Sequence, residues 1–340
     1  MKIVIDAFGG DYAPTEIIKG SVQALNEDKE LKIVFTGDKE RIEKELKDLN
    51  YAGDQVEIVH ATEVITNDDV PTVAIKKKED SSLVKGFKVV KEDSEAGAFI
   101  SAGSTGALLV GSLLKIGRIR GISRPALAAL LPTKIENKQV LLLDSGANTD
   151  CKPINLCHFA VLGSIYMQTM GIENPKVALL SNGTEEGKGN ELTKTVGEQL
   201  SKIECINYCG NLEARDILTG DVDVVVADGF SGNVALKGIE GASSLVLGVM
   251  KELISSSAMA KVGYLFMKKQ MKEMKNRLDY KKLGGAPFLG IDRIIVKAHG
   301  SAKAETIYYT IKQVKTMIKN NLTARVKEEL SKINLSELEG

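Results

Sequence analysis

The stretch VALLSNGTEEGKGN, residues 177–190, runs from an apolar strand pattern into a glycine-spaced turn that carries one lysine, Lys188. A helical pattern begins at Asn190. The N–H groups of such a turn and of a helix N-terminus, beside one positive charge, are typical of an anion site, and phosphate is its natural ligand. A nucleotide P-loop needs four residues between its glycines and Ser or Thr after the lysine. Here three residues intervene between Gly183 and Gly187, and Gly189 follows the lysine. The alternative is a turn in which glycine only supplies positive φ.

The strand before this turn is one of eight short runs rich in Val, Ile and Leu, most of them separated by amphipathic helical patterns. Continuous apolar strands between helices are typical of a parallel sheet that is covered on both faces. We therefore predict an α/β protein with an open, mostly parallel sheet sandwiched by helices. The runs are residues 2–7, 32–37, 56–61, 96–102, 140–145, 177–181, 222–227 and 293–298.

Six of these strands end in loops that combine glycine with polar residues. In open α/β sheets, ligands bind where strands end and helices begin, so six such loops indicate a shared cleft. Each loop taken alone is also explained as ordinary turn chemistry. The loops are DAFGGDYAP (6–14), SAGSTGAL (101–108), DSGANTDCKP (144–153), SNGTEEGKGN (181–190), ADGFSGNVALK (227–237) and KAHGSAKA (297–304).

Composition limits the classes of partner. The chain has 340 residues, of which 43% are hydrophobic, and its 45 basic and 45 acidic side chains cancel. No overall field therefore favours nucleic acid, and any charged ligand must be bound locally. The N-terminus enters a strand at once, and no run approaches 18 apolar residues, so we expect a cytoplasmic protein that does not span a membrane.

Residues 240–283 differ from the rest and are predicted to form a helical hairpin. Residues 253–267 contain one charge, Lys261, whereas residues 268–282 carry a local net charge of +5. Four apolar residues of the first segment share a helical face: Met259, Val262, Leu265 and Phe266. Such a face packs in a core or a dimer, or it dips into an anionic lipid surface beside its basic stem.

The motifs that are missing narrow the chemistry. The sequence contains no GxGxxG after a strand, no HExxH, no CxxC and no GxSxG, so a dinucleotide, a metal ion and an acyl-serine enzyme are not expected. What remains is a cleft with backbone donors, asparagines, lysines and one histidine. These groups suit a reaction in which bound phosphate attacks a thioester, because phosphate brings its own nucleophilic oxygen and a thiol is a good leaving group.

The chain resembles the bacterial phosphate acyltransferase (acyl-ACP:phosphate transacylase) family over essentially its whole length. Phe8 stands where this family suggests Met, and Ser104, a shorter donor, stands where it suggests Asn. The six loops carry the resemblance, two of them with shifted bounds, LLLDSGANTDCKP and GTEEGKGNEL. Four further motifs also carry it: KKKEDSSL (76–83), RPALAALLPT (124–133), NLEARDIL (211–218) and GGAPFLG (284–290).

The resemblance implies that long-chain acyl-ACP and inorganic phosphate give acyl phosphate and free acyl carrier protein, in phospholipid (phosphatidic acid) synthesis. It implies a homodimer without metal or cofactor, and a fold related to phosphotransacetylases and to isocitrate- and isopropylmalate-type dehydrogenases. The acyl phosphate would pass to a membrane glycerol-3-phosphate acyltransferase, so peripheral attachment to the inner face of the membrane becomes the favoured interpretation of the hairpin. The basic stem docks the acidic carrier protein in the alternative interpretation.

Residue roles are predicted on the same basis. Lys188 is expected to bind phosphate and oxyanion charge, Asn233 to donate to the carbonyl or oxyanion, and His299 to orient phosphate or protonate the thiolate. A solvent-facing lysine, a turn cap and a structural histidine are the respective alternatives. Phosphate and substrate contacts are predicted for Ser101, Gly103, Ser104, Thr105, Gly106, Asn182, Gly183, Thr184, Gly189, Asn190, Asp228, Gly229, Ser231, Gly232 and Lys237.

Residues 1–322 are predicted to form one catalytic domain that includes the hairpin, and residues 323–340 a C-terminal tail. Three other functions stay open: a phosphotransacetylase that uses acyl-CoA, a dehydrogenase, and a non-catalytic membrane-associated scaffold for lipid synthesis.

Overall fold

The computed structural model describes residues 1–278 and 280–332, with side chains for residues 1–274 and 282–332. Two sheets with helices around them confirm the α/β class. The strands are β1 (Lys2–Asp6), β2 (Lys32–Gly37), β3 (Val56–His60), β4 (Ala96–Ser101), β5 (Ala126–Leu127), β6 (Ala129–Pro132), β7 (Gln139–Leu143), β8 (Lys176–Ser181), β9 (Asn207–Glu213), β10 (Val224–Val226), β11 (Ala286–Leu289) and β12 (Ile294–Lys297).

Eleven α-helices are described. They are α1 (Thr15–Glu27), α2 (Lys39–Asp48), α3 (Pro71–Lys77), α4 (Ser82–Glu92), α5 (Thr105–Gly111), α6 (Pro153–Thr169), α7 (Glu191–Leu200), α8 (Gly229–Ser255), α9 (Ala258–Leu278), α10 (Ala304–Lys319) and α11 (Leu322–Lys332). A π-helical turn covers Ser112–Ile116, and 3-10 turns cover Ala214–Thr219 and Tyr280–Leu283.

The strands are divided between a seven-stranded sheet, in the order β3-β2-β1-β4-β12-β11-β5, and a five-stranded sheet, in the order β6-β7-β10-β8-β9. Neighbours are parallel except at β11, which runs antiparallel to β12 and β5, and at β6, which runs antiparallel to β7. The mostly parallel arrangement is therefore as predicted. All eight apolar runs form strands whose ends lie within two residues of the predicted ones.

Helix α6 has almost no exposed face. Nearly all of its side chains are buried, because it packs against the second sheet, α7, α11 and β11 of the first sheet. A helix covered on every side needs no polar face, so its sequence PINLCHFAVLGSIYMQT has no amphipathic period. This helix connects the cores of the two sheets.

Helices α8 and α9 pack against each other and form the predicted hairpin, with its turn at residues 256–257. Of the 27 residues of α8, only Gly229 and Gly232 at its start are buried. In the part of the chain that the structure describes, no helix has the length and apolar character needed to cross a bilayer. The predicted tail begins within α11, which buries Leu322, Val326 and Leu330, and residues 333–340 lie outside the described residues.

Candidate functional site

The six glycine-containing loops leave neighbouring strands. Strands β1, β4 and β12 lie side by side and parallel in the first sheet, and β7, β10 and β8 do so in the second. Parallel neighbours end at the same edge of a sheet, so each sheet brings three of the loops together. The sequence alone predicted a shared position for these loops without showing that they form two groups.

A cavity of about 400 Å³ lies between the two groups of loops. Its first side comes from the ends of β4 and β12, and its second side from the loop after β7 and the first turns of α8. Its lining residues are Thr105, Leu127, Ala129, Leu130, Leu131, Ser145, Gly146, Asn233, Leu236, Lys237, Glu240, Leu283, Gly284, Gly285, Ala286, Lys297, His299, Gly300 and Thr306.

A buried polar cluster supports the first side. The Asp6 carboxylate accepts hydrogen bonds from Ser101 Oγ at 2.7 Å and from the Phe8 N–H at 3.1 Å, and burial raises the pKa of Asp6. Ser101 Oγ also accepts from the Gly103 N–H at 3.0 Å. A Cβ on Gly9 would lie 2.6 Å from both Asp6 Oδ2 and Gly103 N, so only glycine fits this crossing of the two loops.

Lys297 lies at the end of β12 with 9% of its surface exposed. Its ammonium group donates to the carbonyl of Ala102 at 3.1 Å and to the carbonyl of Ala298. Burial lowers the pKa of Lys297 to about 8, because the charged form loses solvation, although the charges of Asp11 and Asp6 oppose the shift. A buried lysine with a lowered pKa therefore lines the cavity.

His299 follows two residues later and also lines the cavity. Its Nδ1 accepts the N–H of Ser301 at 3.2 Å and lies 2.9 Å from Ser301 Oγ. Because Nδ1 is an acceptor, the neutral ring carries its proton on Nε2. Burial, followed by the charge of Lys297, lowers the pKa of His299, so near neutral pH this ring is an uncharged donor.

Asp144 fixes the loop on the second side. Its fully buried carboxylate accepts N–H bonds from Leu127 at 3.0 Å, Gly146 at 3.2 Å, Ala147 at 3.0 Å and Asn148 at 2.7 Å, and a fifth bond from Asn148 Nδ2 at 2.8 Å. The loop thereby holds Gly146, with φ +137°, next to Asn233. A Cβ on Gly146 would meet the Asn233 side chain at 3.5 Å.

The start of α8 is fixed just as closely. Asp228 is its N-cap and accepts from the N–H of Ser231 at 2.9 Å and from its hydroxyl at 2.7 Å. A Cβ on Gly229 would lie 2.4 Å from the Asn148 carbonyl oxygen, and one on Gly232 2.0 Å from that of Asp144. These glycines let α8 approach the β7 loop, which places its next turn in the cavity wall.

That next turn supplies two polar groups. Asn233 lines the cavity, as does Lys237. The Lys237 ammonium is 2.7 Å from the carboxylate of Glu240, one turn further along the helix. The positive charge of Lys237 is therefore already paired.

Much of the remaining wall is apolar and comes mainly from β5 and β6, two of the four strands that the apolar runs did not predict. Leu127, Leu130 and Leu131 are buried there, each less than a tenth exposed, and Leu236 and Leu283 complete this wall. The cavity thus combines an apolar side with a polar end that contains two lysines, one of them paired with Glu240, an asparagine and a histidine.

Four of the predicted site residues line this cavity: Thr105, Asn233, Lys237 and His299. Others support it from behind, since Ser101 bonds to Asp6, and Ser104 caps α5 by accepting from the Ala107 N–H at 3.4 Å. Gly103 lies in the same loop, and Gly106 lies in the first turn of α5. The start of α8 is shaped by Asp228, Gly229, Ser231 and Gly232.

The turn around Lys188 does not line the cavity. Lys188 is exposed, and its N–H donates to the Glu185 carbonyl at 3.0 Å. Asn190 caps α7 by accepting from the Thr193 N–H at 2.9 Å. The other predicted contacts of this turn are Asn182, Gly183, Thr184 and Gly189, of which only Gly183 is buried. The roles of these six residues stay predictions.

Lys297 was missed by the sequence reasoning, as were Ser145 and the apolar wall. The signal for Lys297 was present, because it opens the KAHGSAKA loop directly before His299. A lysine at the end of an apolar strand is ordinarily exposed, so its burial follows only from the packing of β4 beside β12.

Comparisons with known proteins agree with this architecture. A family model described as "Fatty acid synthesis protein" matches residues 1–325. The phosphate acyltransferase of Thermoanaerobacterium thermosaccharolyticum is 46% identical over 334 residues, which are 98% of each chain. The phosphate acyltransferase of Clostridium tetani is 47% identical over 98% of this chain and 99% of its own.

Solved structures share the fold at much lower identity. A phosphotransacetylase from Streptococcus pyogenes has a TM-score of 0.62 at 18% identity and 94% coverage of both chains. A 4-hydroxythreonine-4-phosphate dehydrogenase from Klebsiella pneumoniae has a TM-score of 0.52 at 12% identity, covering 94% of this chain and 100% of its own. The predicted relation to phosphotransacetylase and dehydrogenase folds is confirmed.

Proposed function

The chain belongs to the phosphate acyltransferase family, and on that premise we propose that it transfers a long-chain acyl group from acyl carrier protein (ACP) to inorganic phosphate. The observation that carries this proposal is the two-sided cavity, with a leucine wall on one side and ammonium, amide and imidazole donors at its end. An acyl chain requires the apolar wall, and a phosphate requires the donors. One cavity of this kind accommodates both reacting groups.

The proposed reaction needs no covalent enzyme intermediate. An oxygen of hydrogen phosphate attacks the thioester carbonyl carbon, so a C–O bond forms and a tetrahedral oxyanion results. The oxyanion collapses, the C–S bond breaks, and the thiolate of the carrier leaves. The proton that hydrogen phosphate loses ends on this sulfur, which gives acyl phosphate and free ACP.

The residues of the polar end have matching roles in this proposal. The Asn233 amide donates to the oxyanion, in a position fixed by Asp228 and by the glycines at the start of α8. The neutral His299 ring donates a hydrogen bond from Nε2 that orients the phosphate, and the proton that hydrogen phosphate loses passes directly to the thiolate. The Thr105 hydroxyl supplies a further donor from the first side. Lys188 stays a predicted phosphate ligand from the neighbouring exposed turn.

The test is formation of acyl phosphate, trapped with hydroxylamine, from long-chain acyl-ACP and phosphate without added metal. Asn233→Ala is expected to lower kcat by about 10²- to 10³-fold, as for loss of one oxyanion donor. Asn26→Ala changes an exposed asparagine on α1 and serves as the matched control. Absence of product with every acyl chain length would refute the proposal.

A short-chain phosphotransacetylase that uses acyl-CoA is the second candidate, because a solved phosphotransacetylase has the same fold. The leucine wall favours a long chain, since each CH₂ buried there contributes about 0.8 kcal/mol. The two candidates are separated by kcat/KM for acetyl-CoA against long-chain acyl-ACP. A preference for acetyl-CoA would favour the second candidate.

A second copy of this chain is proposed to cover α8. Four exposed apolar side chains share one face of this helix, namely Phe230 at 64%, Val234 at 56%, Leu245 at 66% and Val249 at 45% exposure. An apolar face of this length is typical of homodimers. Val234→Glu together with Leu245→Glu is expected to give a monomer in light scattering, and an unchanged mass of the double variant would contradict the dimer.

The tip of the hairpin is proposed to contact an anionic membrane at the inner face of the cell. Met259 and Phe266 are each 83% exposed, Leu265 is 67% and Val262 is 52% exposed. Lysines of the same helix add about 1 kcal/mol each near anionic lipid. Such attachment would let a cytoplasmic enzyme deliver acyl phosphate to a membrane glycerol-3-phosphate acyltransferase.

Flotation with anionic liposomes tests this placement. Leu265→Glu together with Phe266→Glu is expected to abolish flotation while turnover of acyl-ACP in solution persists. Leu114→Glu together with Val70→Glu changes exposed apolar residues outside the hairpin, 54% and 62% exposed, and is the matched control. Full flotation of the hairpin variant would refute the membrane contact.

A further inference from the structure

Lys297 is a buried cation whose charge has no close opposite partner. Among the residues whose side chains the structure describes, no carboxylate forms an ion pair with its ammonium group within 4.0 Å. The other lysine of the cavity, Lys237, is exposed and paired with Glu240 at 2.7 Å. Lys237 therefore already has a counter-ion, whereas Lys297 has none among the described side chains.

The hydrogen bonds of Lys297 leave its charge unneutralised. Its ammonium group donates to the carbonyls of Ala102 and Ala298. An ammonium group has three N–H donors, so the third is unassigned among the described bonds. Burying a charge is costly unless an anion pairs with it, and a residue of this kind in a ligand cavity indicates an anionic ligand.

The charges around Lys297 permit such a ligand. Asp6, from β1, accepts the Ser101 hydroxyl, and burial raises its pKa, which weakens it as a counter-ion. Asp11, in the loop that follows β1, attracts the charge of Lys297 at longer range. Across the cavity, the Lys237 and Glu240 charges largely cancel because they are paired. His299 is neutral near pH 7, and burial is the main cause of its lowered pKa.

We propose that Lys297 is the cationic ligand of the phosphate group in this cavity, where it contacts a phosphate oxygen that does not attack the thioester. This inference rests on the function proposed above and adds a residue to it. The third N–H of the ammonium donates to phosphate, and the positive charge holds the nucleophile beside the carbonyl that Asn233 polarises. It also stabilises the acyl phosphate product.

The test compares three variants in phosphate-dependent turnover and in binding of inorganic phosphate by calorimetry. Lys297→Met removes the charge and keeps much of the side-chain volume. It is expected to raise KM and Kd for phosphate by about 10- to 100-fold, as for loss of a charge-assisted hydrogen bond, while KM for acyl-ACP changes little. Lys297→Arg retains the charge and is expected to recover most of the phosphate affinity.

Lys303→Met is the matched control, because Lys303 belongs to the same loop but is exposed, stacks over Tyr12 and does not line the cavity. Phosphate affinity of this variant should equal that of the unchanged protein. If Lys297→Met unfolds, the pH dependence of phosphate binding by the unchanged protein and by Lys297→Arg still tests the assignment of Lys297. Binding of phosphate to the unchanged protein should weaken above pH about 8, where Lys297 loses its proton, whereas binding to Lys297→Arg should not.

Two failures are distinguishable. If the unchanged protein forms no acyl phosphate, the proposed function is wrong whatever Lys297 binds. If it forms acyl phosphate but Lys297→Met keeps the unchanged KM and Kd for phosphate, the assignment of Lys297 is wrong and the function stands. The same conclusion follows if phosphate binding by the unchanged protein and by Lys297→Arg weakens in parallel above pH about 8.

Discussion

Replacing Asp144 by asparagine should destabilise the second side of the cavity although the two side chains have nearly the same shape. One carboxylate oxygen accepts three N–H bonds, and the other accepts two. Whichever position the new NH₂ group takes, it faces two or three N–H donors that are buried or partly buried, and it can accept from none of them. Each unpaired buried N–H costs about 1–3 kcal/mol, so the expected loss is about 2–6 kcal/mol. This loss is a large part of the free energy of unfolding of an ordinary domain, which is roughly 5–15 kcal/mol.

Urea denaturation followed by circular dichroism measures this loss. Asp150→Asn changes an exposed carboxylate six residues further along the same loop and should leave the free energy of unfolding within about 0.5 kcal/mol of the unchanged protein. Asp144→Asn should also lose turnover in proportion to the unfolded fraction. If its free energy of unfolding matches that of Asp150→Asn, the view that the Asp144 bonds organise the loop is refuted.

Three further predictions test other parts of the site. Gly232→Ala places a Cβ 2.0 Å from the Asp144 carbonyl oxygen, so it should lower both the thermal midpoint and kcat, whereas Gly263→Ala, with open space around it, should slightly raise the midpoint. Leu130→Trp fills the apolar wall and should shift kcat/KM towards shorter acyl chains, with the phosphate KM unchanged. Burial lowers the pKa of His299, and the positive charge of Lys297 lowers it further. The ring therefore stays neutral until the pH falls below the ordinary histidine pKa of about 6.5. The acid limb of the kcat profile should lie below that pH.

The sequence predicted eight of the twelve described strands, because each of these eight lies in a run rich in Val, Ile and Leu. Strands β5, β6 and β11 were not predicted, and all three run antiparallel to a neighbour, outside the parallel pattern. Strand β9 was not predicted because NYCGNLE is polar, with a glycine in the left-handed region at Gly210. The division into two sheets depends on pairings between distant strands, which no local pattern carries. Helix α6 likewise lacks a period, since every face of it is covered.

The site was predicted in part for the same reasons. Asn233 and His299 follow glycine-marked strand ends, and the structure brings both to one cavity. Lys188 has the more familiar local pattern, yet it is exposed, whereas Lys297 has no motif of its own and becomes a buried cation only through the packing of two parallel strands. Local sequence therefore identified the loops, and tertiary packing decided which lysine enters the cavity.

A crystal structure with phosphate at saturating concentration tests the central claim most directly, because it locates the anion among these groups. The account predicts one phosphate at the polar end of the cavity, within hydrogen-bond distance of the Lys297 ammonium and the His299 ring, and facing Asn233. Phosphate bound only at the turn around Lys188, with the cavity free of it, would contradict the account.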